Sequence, residues 1–377
     1  TLRSLTRLFL IIPDMDFRNF RSIAVKIGSN VLTRADGSLD VTRMSSLVDQ
    51  IADLHHRGIR VVMISSGAVA SGRSALAGEI HHQLDPVSAR QLFSAVGQAR
   101  LINRYYELFR DHGIACGQVL TTKENFSTRR HYLNQKHCME TMLAAGVIPI
   151  VNENDTVSIT ELMFTDNDEL SGLIASMLDV DMLVILSNID GIYNGNPALP
   201  SSTVIPEITP GMDLSRYIST SKSSLGRGGM TTKNRIARKV ASEGIAVVIA
   251  NGKRENILTA LVDTPDSVPH TLFVPSAKET SGVKKWIAHS EDFAKGEIRV
   301  NAGAAEALLS GKGVSLLPVG VDSIAGEWDK DDIVRVTSPD GTLIALGRAG
   351  CDSVKAASCL GTHGNRPIVH ADYIYLV

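Results

Sequence analysis

Short apolar runs alternate with longer amphipathic stretches along most of this 377-residue chain. Runs of five or six residues that end at polar or glycine-rich positions are typical of buried strands. They lie at 23–27, 59–64, 115–120, 147–151, 182–186 and 245–250. The stretches at 41–56, 89–111, 130–145 and 168–178 have helical periodicity. Because helices of this length can cross a sheet face, the pattern predicts βα units around a mostly parallel sheet.

The ends of these predicted strands are polar or rich in glycine. Open parallel sheets bind ligands at the carboxyl ends of their strands. Five ends carry such residues: Lys26 to Asn30, Ser65 to Gly67, Asn152 to Asp155, Ser187 with Asn188, and Asn251 with Gly252. Turns favour the same residue types for conformational reasons, but five such ends on one edge predict a ligand site there.

Two lysines are candidates for binding an anion. Lys233 ends a glycine-rich segment at 224–233 that leads into a basic helix, and glycines and free helix amides favour phosphate. The segment lacks the P-loop pattern GxxxxGK(S/T). Lys26 lies in an apolar strand and needs a phosphate or carboxylate partner, because desolvating an unpaired ammonium is costly. The alternatives are a solvated basic helix face and a lysine on an edge strand.

Carboxylate and amide side chains crowd one segment of the chain: Asn152, Asn154, Asp155, Asp166, Asn167 and Asp168. The cluster is either an acidic turn or a site for an ammonium group, a lysine pair or phosphate-bound Mg²⁺. No GxSxG motif is present and no histidine is an obvious base. These features suit phosphoryl transfer to an acceptor that is already ionised, such as a carboxylate with a pKa of about 4.3. Catalysis would then consist of alignment and charge neutralisation.

The amino-acid composition argues against several other classes of protein. Lys and Arg number 38 against 40 Asp and Glu, so no global basic field draws the protein to nucleic acid or anionic lipid. Four scattered cysteines without a CxxC pair indicate a reducing, cytoplasmic setting. No apolar run approaches the length of about 18 residues that crosses a bilayer. Residues 1–20 are predicted to be an N-terminal extension or an artefact upstream of the natural start.

The pattern of predicted secondary structure changes after about residue 275. A linker at 276–290 leads to a small domain at 291–377 that is rich in short β-type runs and turns. This second domain carries eight Lys and Arg against twelve Asp and Glu. RNA binding normally shows a basic stripe, so an acidic domain of this kind argues against it.

Six motifs together resemble those of the amino-acid kinase family, and the tail resembles a PUA domain. They are VKIGSNVLT at 25–33, SSGAVASG at 65–72, AVGQARL at 95–101, PIVNENDTV at 149–157, FTDNDELS at 164–171 and GRGGMTTK at 226–233. The resemblance spans roughly residues 22–377. It implies a three-layer αβα sandwich with a mostly parallel central sheet at 21–275, followed by a small C-terminal PUA-like β-barrel.

The resemblance also implies roles for individual residues. The implied catalytic residues are Lys26 and Lys233, which would stabilise the transferring phosphoryl group, and Asp166, which would hold the two lysines in place. Ser66, Asp155 and Asn167 would contact glutamate, and Asn152 and Asn154 would shape that pocket. The implied nucleotide-binding residues are Lys26, Gly28, Ser187, Asn188, Arg227, Gly228, Gly229, Met230, Thr231, Thr232 and Lys233. No residue is predicted to bind a metal directly. Many relatives have Thr-Asp in place of Ser187-Asn188, which leaves the nucleotide contacts there open.

The implied reaction is phosphorylation of the γ-carboxylate of L-glutamate by ATP with Mg²⁺, which gives L-glutamyl 5-phosphate in the first step of proline synthesis. The family resemblance further implies a cytoplasmic homo-oligomer, a dimer or tetramer, that proline inhibits. Three alternatives remain open: another carboxylate or carbamate kinase on the same scaffold, a non-catalytic regulatory homologue, and RNA binding through the PUA-like domain.

Overall fold

Strands and helices alternate through the first two thirds of the chain, and strands dominate the last third. The computed structural model describes residues 16–79, 84–157, 164, 166–214, 229–277, 280–364 and 366–377. The strands are β1 (Ser22–Ile27), β2 (Arg60–Ser65), β3 (Cys116–Thr121), β4 (Ile148–Glu153), β5 (Met182–Ser187), β6 (Glu207–Ile208), β7 (Ala246–Asn251), β8 (His270–Phe273), β9 (Gly296–Val300), β10 (Val321–Gly326), β11 (Ile333–Thr337), β12 (Leu343–Ala349) and β13 (Val369–Leu376). The helices are α1 (Ser29–Leu32), α2 (Val41–His56), α3 (Ala68–Ala75), α4 (Pro86–Asp111), α5 (Glu124–Ser127), α6 (Arg129–Ala144), α7 (Asn167–Leu178), α8 (Met230–Ser242), α9 (Ile257–Asp263), α10 (Gly282–Ala288), α11 (Ala302–Leu309) and α12 (Ser353–Ser358).

The central sheet is mostly parallel, as the sequence predicts. Within the described ranges its order is β3-β4-β2-β1-β5-β7-β8-β6. The six predicted strands are β1 to β5 and β7, and all six run parallel to one another. The seventh neighbour, β8, is antiparallel to β7. The carboxyl ends of β1, β2, β4, β5 and β7 therefore meet at one edge of the sheet.

Helices cover both faces of this sheet, which confirms the three-layer αβα architecture. Alternate residues of β1 point to opposite faces. Val25 packs in an apolar cluster with α2, α4 and α9, whereas Ala24 packs in a second cluster with α6, α7 and α8. Lys26 shares the parity of Ala24. Its side chain is therefore directed toward the face that carries α7 and α8.

Helix α2 shows how local sequence sets an element boundary. Asp40 lies at the N-cap in a non-helical conformation, and its carboxylate accepts a hydrogen bond of 3.1 Å from the amide of Arg43. This bond satisfies one of the helix amides that lack an intrahelical partner.

Replacing Asp40 with Ala is expected to lower the free energy of unfolding by about 1 kcal/mol, because the cap bond is lost. Urea denaturation followed by circular dichroism measures the change. Asp40→Asn is the matched control, since Asn caps helices as well as Asp does. An equal loss in both variants would show that the carboxylate charge, rather than the cap, matters.

Helices α3 and α4 cross at a contact that tolerates only glycine. A Cβ atom on Gly97 would lie 1.8 Å from the carbonyl oxygen of Ala68, and one on Gly72 would lie 1.8 Å from the carbonyl oxygen of Phe93. Both distances are far below van der Waals contact. The two glycines therefore let α4 approach α3, which follows directly from the end of β2.

The C-terminal domain has its own five-stranded sheet in the order β10-β9-β11-β12-β13. Its core includes Val334, Val336 and Trp328, all buried. A second set of C-terminal residues, including Ile333 and Leu346, instead packs into the apolar cluster of α7 and α8. The C-terminal domain thus has a core of its own and also packs against the cluster of α7 and α8.

Residues 276–290, predicted to be a linker, contain helix α10 in the interior of the molecule. Trp286 is buried, and its indole nitrogen donates a 3.0 Å hydrogen bond to the carbonyl oxygen of Phe126. Lys285 forms an ion pair with Asp179 at the end of α7. His289 lies 3.0 Å from the carboxylate of Glu243, which follows α8. The segment therefore connects the C-terminal domain to α7 and α8.

Part of the segment predicted to be an extension belongs to the fold. Residues 1–15 lie outside the described residues. Phe17, in a short 3₁₀ turn, is buried in the cluster that contains α9. Its ring centroid lies 5.4 Å from that of Phe20. The folded region therefore begins before residue 20.

None of the helices in the described ranges is long and apolar enough to span a membrane.

Candidate active site

Two lysine ammonium groups share one buried carboxylate at the carboxyl edge of the sheet. Lys26 comes from the end of β1, and Lys233 comes from the first turn of α8. Their Nζ atoms lie 2.5 Å and 2.7 Å from the two oxygens of Asp168. All three side chains are buried. This trio leaves one net positive charge in a region with little water.

The charge of Asp168 follows from its neighbours. Burial alone would raise the pKa of this carboxyl, but the ammonium groups of Lys26 and Lys233 outweigh burial and hold the pKa below its usual range. Asp168 is therefore ionised at neutral pH. A buried ammonium without a partner would be costly, and Asp168 is a counter-charge shared by both lysines.

The structure assigns the lysine ion pairs to Asp168 and not to Asp166, which corrects the sequence prediction. Asp166 is the N-cap of α7, and its Oδ1 accepts hydrogen bonds from the amides of Asp168 and Glu169 at 2.9 Å and 3.0 Å. Its Oδ2 is buried without a hydrogen-bond partner among the described residues. Burial, followed by the charge of Asp168, raises the pKa of Asp166.

A chain of amides and hydroxyls adjoins the lysines. The side-chain nitrogen of Asn167 donates to the hydroxyl of Ser66 at 2.8 Å and to the amide oxygen of Asn152 at 3.1 Å. Asn152 in turn donates to the side-chain oxygen of Gln98 at 2.8 Å. Two of the residues predicted to contact glutamate, Ser66 and Asn167, are therefore brought together with Asn152, which is predicted to shape the pocket.

Asp155, also predicted to contact glutamate, forms part of an acidic cluster beside this chain. The guanidinium of Arg90 forms ion pairs with both Glu153 and Asp155. The hydroxyl of Ser94 lies 3.5 Å from Asp155. Arg90, Ser94 and Gln98 follow one another at intervals of four residues, so they form one stripe along α4. We call the group of Arg90, Glu153 and Asp155 the acidic cluster.

Burial disfavours the charge on both carboxylates of the acidic cluster. Burial, followed by the adjacent charge of Asp155, raises the pKa of Glu153 to about 7, against the opposing effects of the Phe164 amide and Arg90. Burial also raises the pKa of Asp155, although Arg90 opposes this. Glu153 consequently titrates close to neutral pH.

The predicted pocket-shaping residue Asn154 has a different contact. Its side-chain oxygen accepts a 2.5 Å hydrogen bond from the hydroxyl of Thr156. This bond stabilises the turn after β4 that carries Asp155. The role of Asn154 in shaping the pocket stays a prediction.

The described residues among those predicted to bind nucleotide lie around the same edge. The amide of Gly28 donates to the carbonyl oxygen of Leu186 at 3.2 Å, which ties the ends of β1 and β5 together. Ser187 is buried and Asn188 is exposed, with 3.4 Å between their side-chain oxygens. Gly229 precedes α8, whose first residues are Met230, Thr231 and Thr232. Arg227 and Gly228 lie outside the described residues.

Sequence reasoning assigned no role to Arg90, Gln98 or Glu153. Gln98 lies in the AVGQARL motif, and Arg90 precedes it by eight residues on the same helix face. That spacing is the only signal that could have linked Arg90 to the site. Glu153 falls between Asn152 and Asn154 but points to the opposite side of the strand end.

Comparison with known proteins identifies the family to which this chain belongs. The family model described as "Amino acid kinase family" matches residues 21–251, and the model described as "PUA domain" matches residues 296–370. The first match covers more than half of the chain and contains every residue of the lysine trio and of the acidic cluster. The chain belongs to the amino acid kinase family and carries a C-terminal PUA domain.

Curated relatives narrow the assignment within that family. A protein named glutamate 5-kinase from Bacteroides thetaiotaomicron is 65% identical over 95% of this chain and 99% of its own length. Proteins of the same name from Chlorobaculum tepidum and Trichlorobacter lovleyi are 46% and 37% identical, each over 95% of this chain and over 98% and 97% of their own lengths. The chain groups with the glutamate 5-kinases of the family.

Proposed function

We propose that this protein transfers the γ-phosphoryl group of ATP to the γ-carboxylate of L-glutamate and forms L-glutamyl 5-phosphate, the first step of proline synthesis. The observation that carries the proposal is the pair of buried lysines on Asp168 beside a pocket of amide and acidic side chains. The names of the relatives, similar over nearly the whole chain, support the choice of substrate.

The residues suit a direct transfer between two anions. A glutamate γ-carboxylate is ionised at neutral pH and needs no general base. Lys26 and Lys233 supply positive charge where negative charge spreads over the transferring phosphoryl oxygens. Asp168 positions both ammonium groups. Ser66 and Asn167 would bind and orient the acceptor carboxylate, so that the attacking oxygen lies in line with the bond that breaks.

Magnesium fits this site as a phosphate-bound ion. Among the described residues, no group of three or more His, Cys, Asp or Glu side chains could hold a metal ion. Mg²⁺ usually keeps waters and takes only one or two protein carboxylates besides phosphate oxygens. The buried, unpartnered Oδ2 of Asp166 is suited to be such a ligand. When bound, the ion would neutralise charge on the phosphate oxygens.

Three further features of the proposal rest on the family resemblance: the protein is cytoplasmic, forms a homo-oligomer and is inhibited by proline at or over the glutamate pocket. Cys116, Cys138, Cys351 and Cys359 are free thiols, which is compatible with a reducing compartment. Sedimentation and a proline titration of the glutamate-dependent activity test the oligomer and the inhibition.

The reaction itself is tested by measuring ADP release from ATP and Mg²⁺ with L-glutamate, L-aspartate, N-acetyl-L-glutamate or carbamate. Hydroxylamine traps the acyl phosphate as a hydroxamate. We expect hydroxamate with L-glutamate above all other acceptors, and an Asp168→Asn protein prepared in parallel controls for contaminating kinases. Turnover with another acceptor only would overturn the substrate assignment, and equal hydroxamate from the Asp168 variant would overturn the assignment of the site.

A further inference from the structure

Helix α4 carries a buried tyrosine hydroxyl that the proposed reaction does not use. The ring of Tyr105 packs in the apolar cluster that α2, α4 and α9 form on one face of the sheet, and the whole side chain is buried. A buried hydroxyl without a hydrogen-bond partner would be costly. The partner is the hydroxyl of Ser65, at 2.9 Å, which is also fully buried. Ser65 is the last residue of β2, so this bond joins α4 to the strand end that precedes Ser66.

The direction of this hydrogen bond follows from the second contact of Ser65. The hydroxyl of Ser65 donates to the carbonyl oxygen of Ser66 at 3.1 Å. A serine hydroxyl has only one hydrogen to donate. Tyr105 is therefore the donor to Ser65. Burial raises the pKa of Tyr105, so the phenol keeps its proton at neutral pH. Donation thus runs from Tyr105 to Ser65 and from Ser65 to the Ser66 carbonyl.

The peptide that receives this donation lies beside a glycine in an unusual conformation. Gly67, the N-cap of α3, has a φ of 105°, in the left-handed region that favours glycine. Because glycine permits many backbone conformations, steric contacts alone do not fix the orientation of the peptide between Ser66 and Gly67. The hydrogen bond from Ser65 to the carbonyl oxygen of Ser66 selects one orientation of that peptide.

The side chain of Ser66 continues the chain of hydrogen bonds back to α4. Its hydroxyl accepts from Asn167, which also donates to Asn152. Asn152 donates to Gln98 of α4. Gln98 precedes Tyr105 by seven residues, close to two helical turns, so both side chains lie on the same face of α4. Ser66 is therefore held through its carbonyl and through its hydroxyl, and both chains of contacts end on one helix.

We propose that Tyr105 is a positioning residue for the acceptor: through Ser65 it fixes the Ser66 peptide, and so it holds the Ser66 hydroxyl where it binds the acceptor carboxylate. The inference rests on the proposed function, in which Ser66 and Asn167 bind and orient that carboxylate. Tyr105 acts only through Ser65. Its loss is therefore expected to weaken acceptor binding, and to spare the binding of ATP by the lysines of β1 and α8.

The test measures kcat, KM for glutamate and KM for ATP in wild type, Tyr105→Phe and Tyr132→Phe. Tyr105→Phe removes the hydroxyl and keeps the ring. KM for glutamate is expected to rise about fivefold, the effect of losing about one net hydrogen bond. Both kcat and KM for ATP are expected to stay within about twofold. Tyr132 is also buried, on α6 beside Phe126, so its variant is the matched control and should behave as wild type.

Ser65→Ala and the double variant with Tyr105→Phe test whether Tyr105 acts through Ser65. Ser65→Ala is expected to raise KM for glutamate at least as much as Tyr105→Phe does. Adding Tyr105→Phe to Ser65→Ala is expected to change KM by less than about twofold, because the contact that transmits the effect is already absent.

Three results in an active enzyme would overturn this inference alone. They are a Tyr105→Phe variant with the wild-type KM for glutamate, an equal rise in KM for ATP and for glutamate, which indicates a merely structural role, and effects of the two substitutions that multiply fully in the double variant. Wild type without glutamate-dependent hydroxamate would instead overturn the proposed function.

Discussion

Replacing Asp168 with Asn is expected to lower kcat at least about 100-fold, with a smaller effect on KM for glutamate. The substitution leaves the ammonium groups of Lys26 and Lys233 buried without their shared counter-charge. One lysine is then expected to lose its proton or to move away, and the transferring phosphoryl group loses a positive charge. Removal of one such electrostatic contact costs about 10²–10³ in kcat in other enzymes. Steady-state kinetics with hydroxamate detection measures the loss.

The same substitution is expected to lower stability, because removing one partner of a buried ion pair costs about 3–5 kcal/mol. The pKa of Asp168 is depressed in the folded state, so its stabilisation is present above the unfolded-state value of about 3.9 and is lost as pH falls through the folded value. Urea denaturation at pH 7 measures the difference between the wild type and the variant.

Asp166→Asn is the matched control for stability at the neighbouring carboxylate. Asn is as good an N-cap as Asp, so the helix should keep its cap and the free energy of unfolding should change by less than about 1 kcal/mol. Equal destabilisation by both substitutions would contradict the assignment of the lysine ion pairs to Asp168.

Replacing Trp286 with Ala is expected to cost about 3–5 kcal/mol, the usual range for removing a large buried aromatic side chain. The indole is 2% exposed and packs in the cluster that joins α7 and α8 to the C-terminal sheet. Arg129 lies over its ring at 5.7 Å from the centroid. Because α10 holds both α7 and α8, we expect glutamate-dependent activity and secondary structure to be lost at the same, lower temperature.

Trp328→Ala provides the comparison within the C-terminal domain. Trp328 is buried in that domain's own core, and its indole nitrogen donates to the carbonyl oxygen of Cys351 at 3.1 Å. The cavity is of similar size, but it lies away from α7 and α8. Activity is therefore expected to persist above the temperature at which the C-terminal sheet unfolds. If both variants lost activity at the same temperature, the docking role of α10 would be contradicted.

Most of the sheet was predictable because strands such as β1, β4 and β5 are buried on both faces and are therefore short apolar runs in the sequence. All residues of β5 are buried, and the predicted 182–186 differs from Met182–Ser187 by one residue. The predicted helix 41–56 coincides with α2. The antiparallel strand β8 was not predicted, because its four residues alternate between buried and half-buried positions and give only a weak signal.

The residue types of the site were predictable from the sequence, but the contacts between those residues were not. The motifs placed two lysines and a group of carboxylates at one edge, and both lysines are there. Asp166 and Asp168 differ by two residues, and composition cannot tell which one caps the helix and which one turns inward. Arg90 comes from a helix more than sixty residues before Asp155, so its ion pair depends on how α4 packs. Contacts of this kind depend on tertiary structure and produce no recognisable pattern in the local sequence.

The placement of the tryptophans decides what intrinsic fluorescence can report. The chain has two tryptophans, one in α10 and one in the C-terminal domain, so the large α/β sheet contributes no indole emission of its own. A fluorescence melt will therefore follow α10 docking and the C-terminal core, while circular dichroism follows the whole chain. A protein retaining only Trp286 would be a local optical sensor of the contact between the two domains.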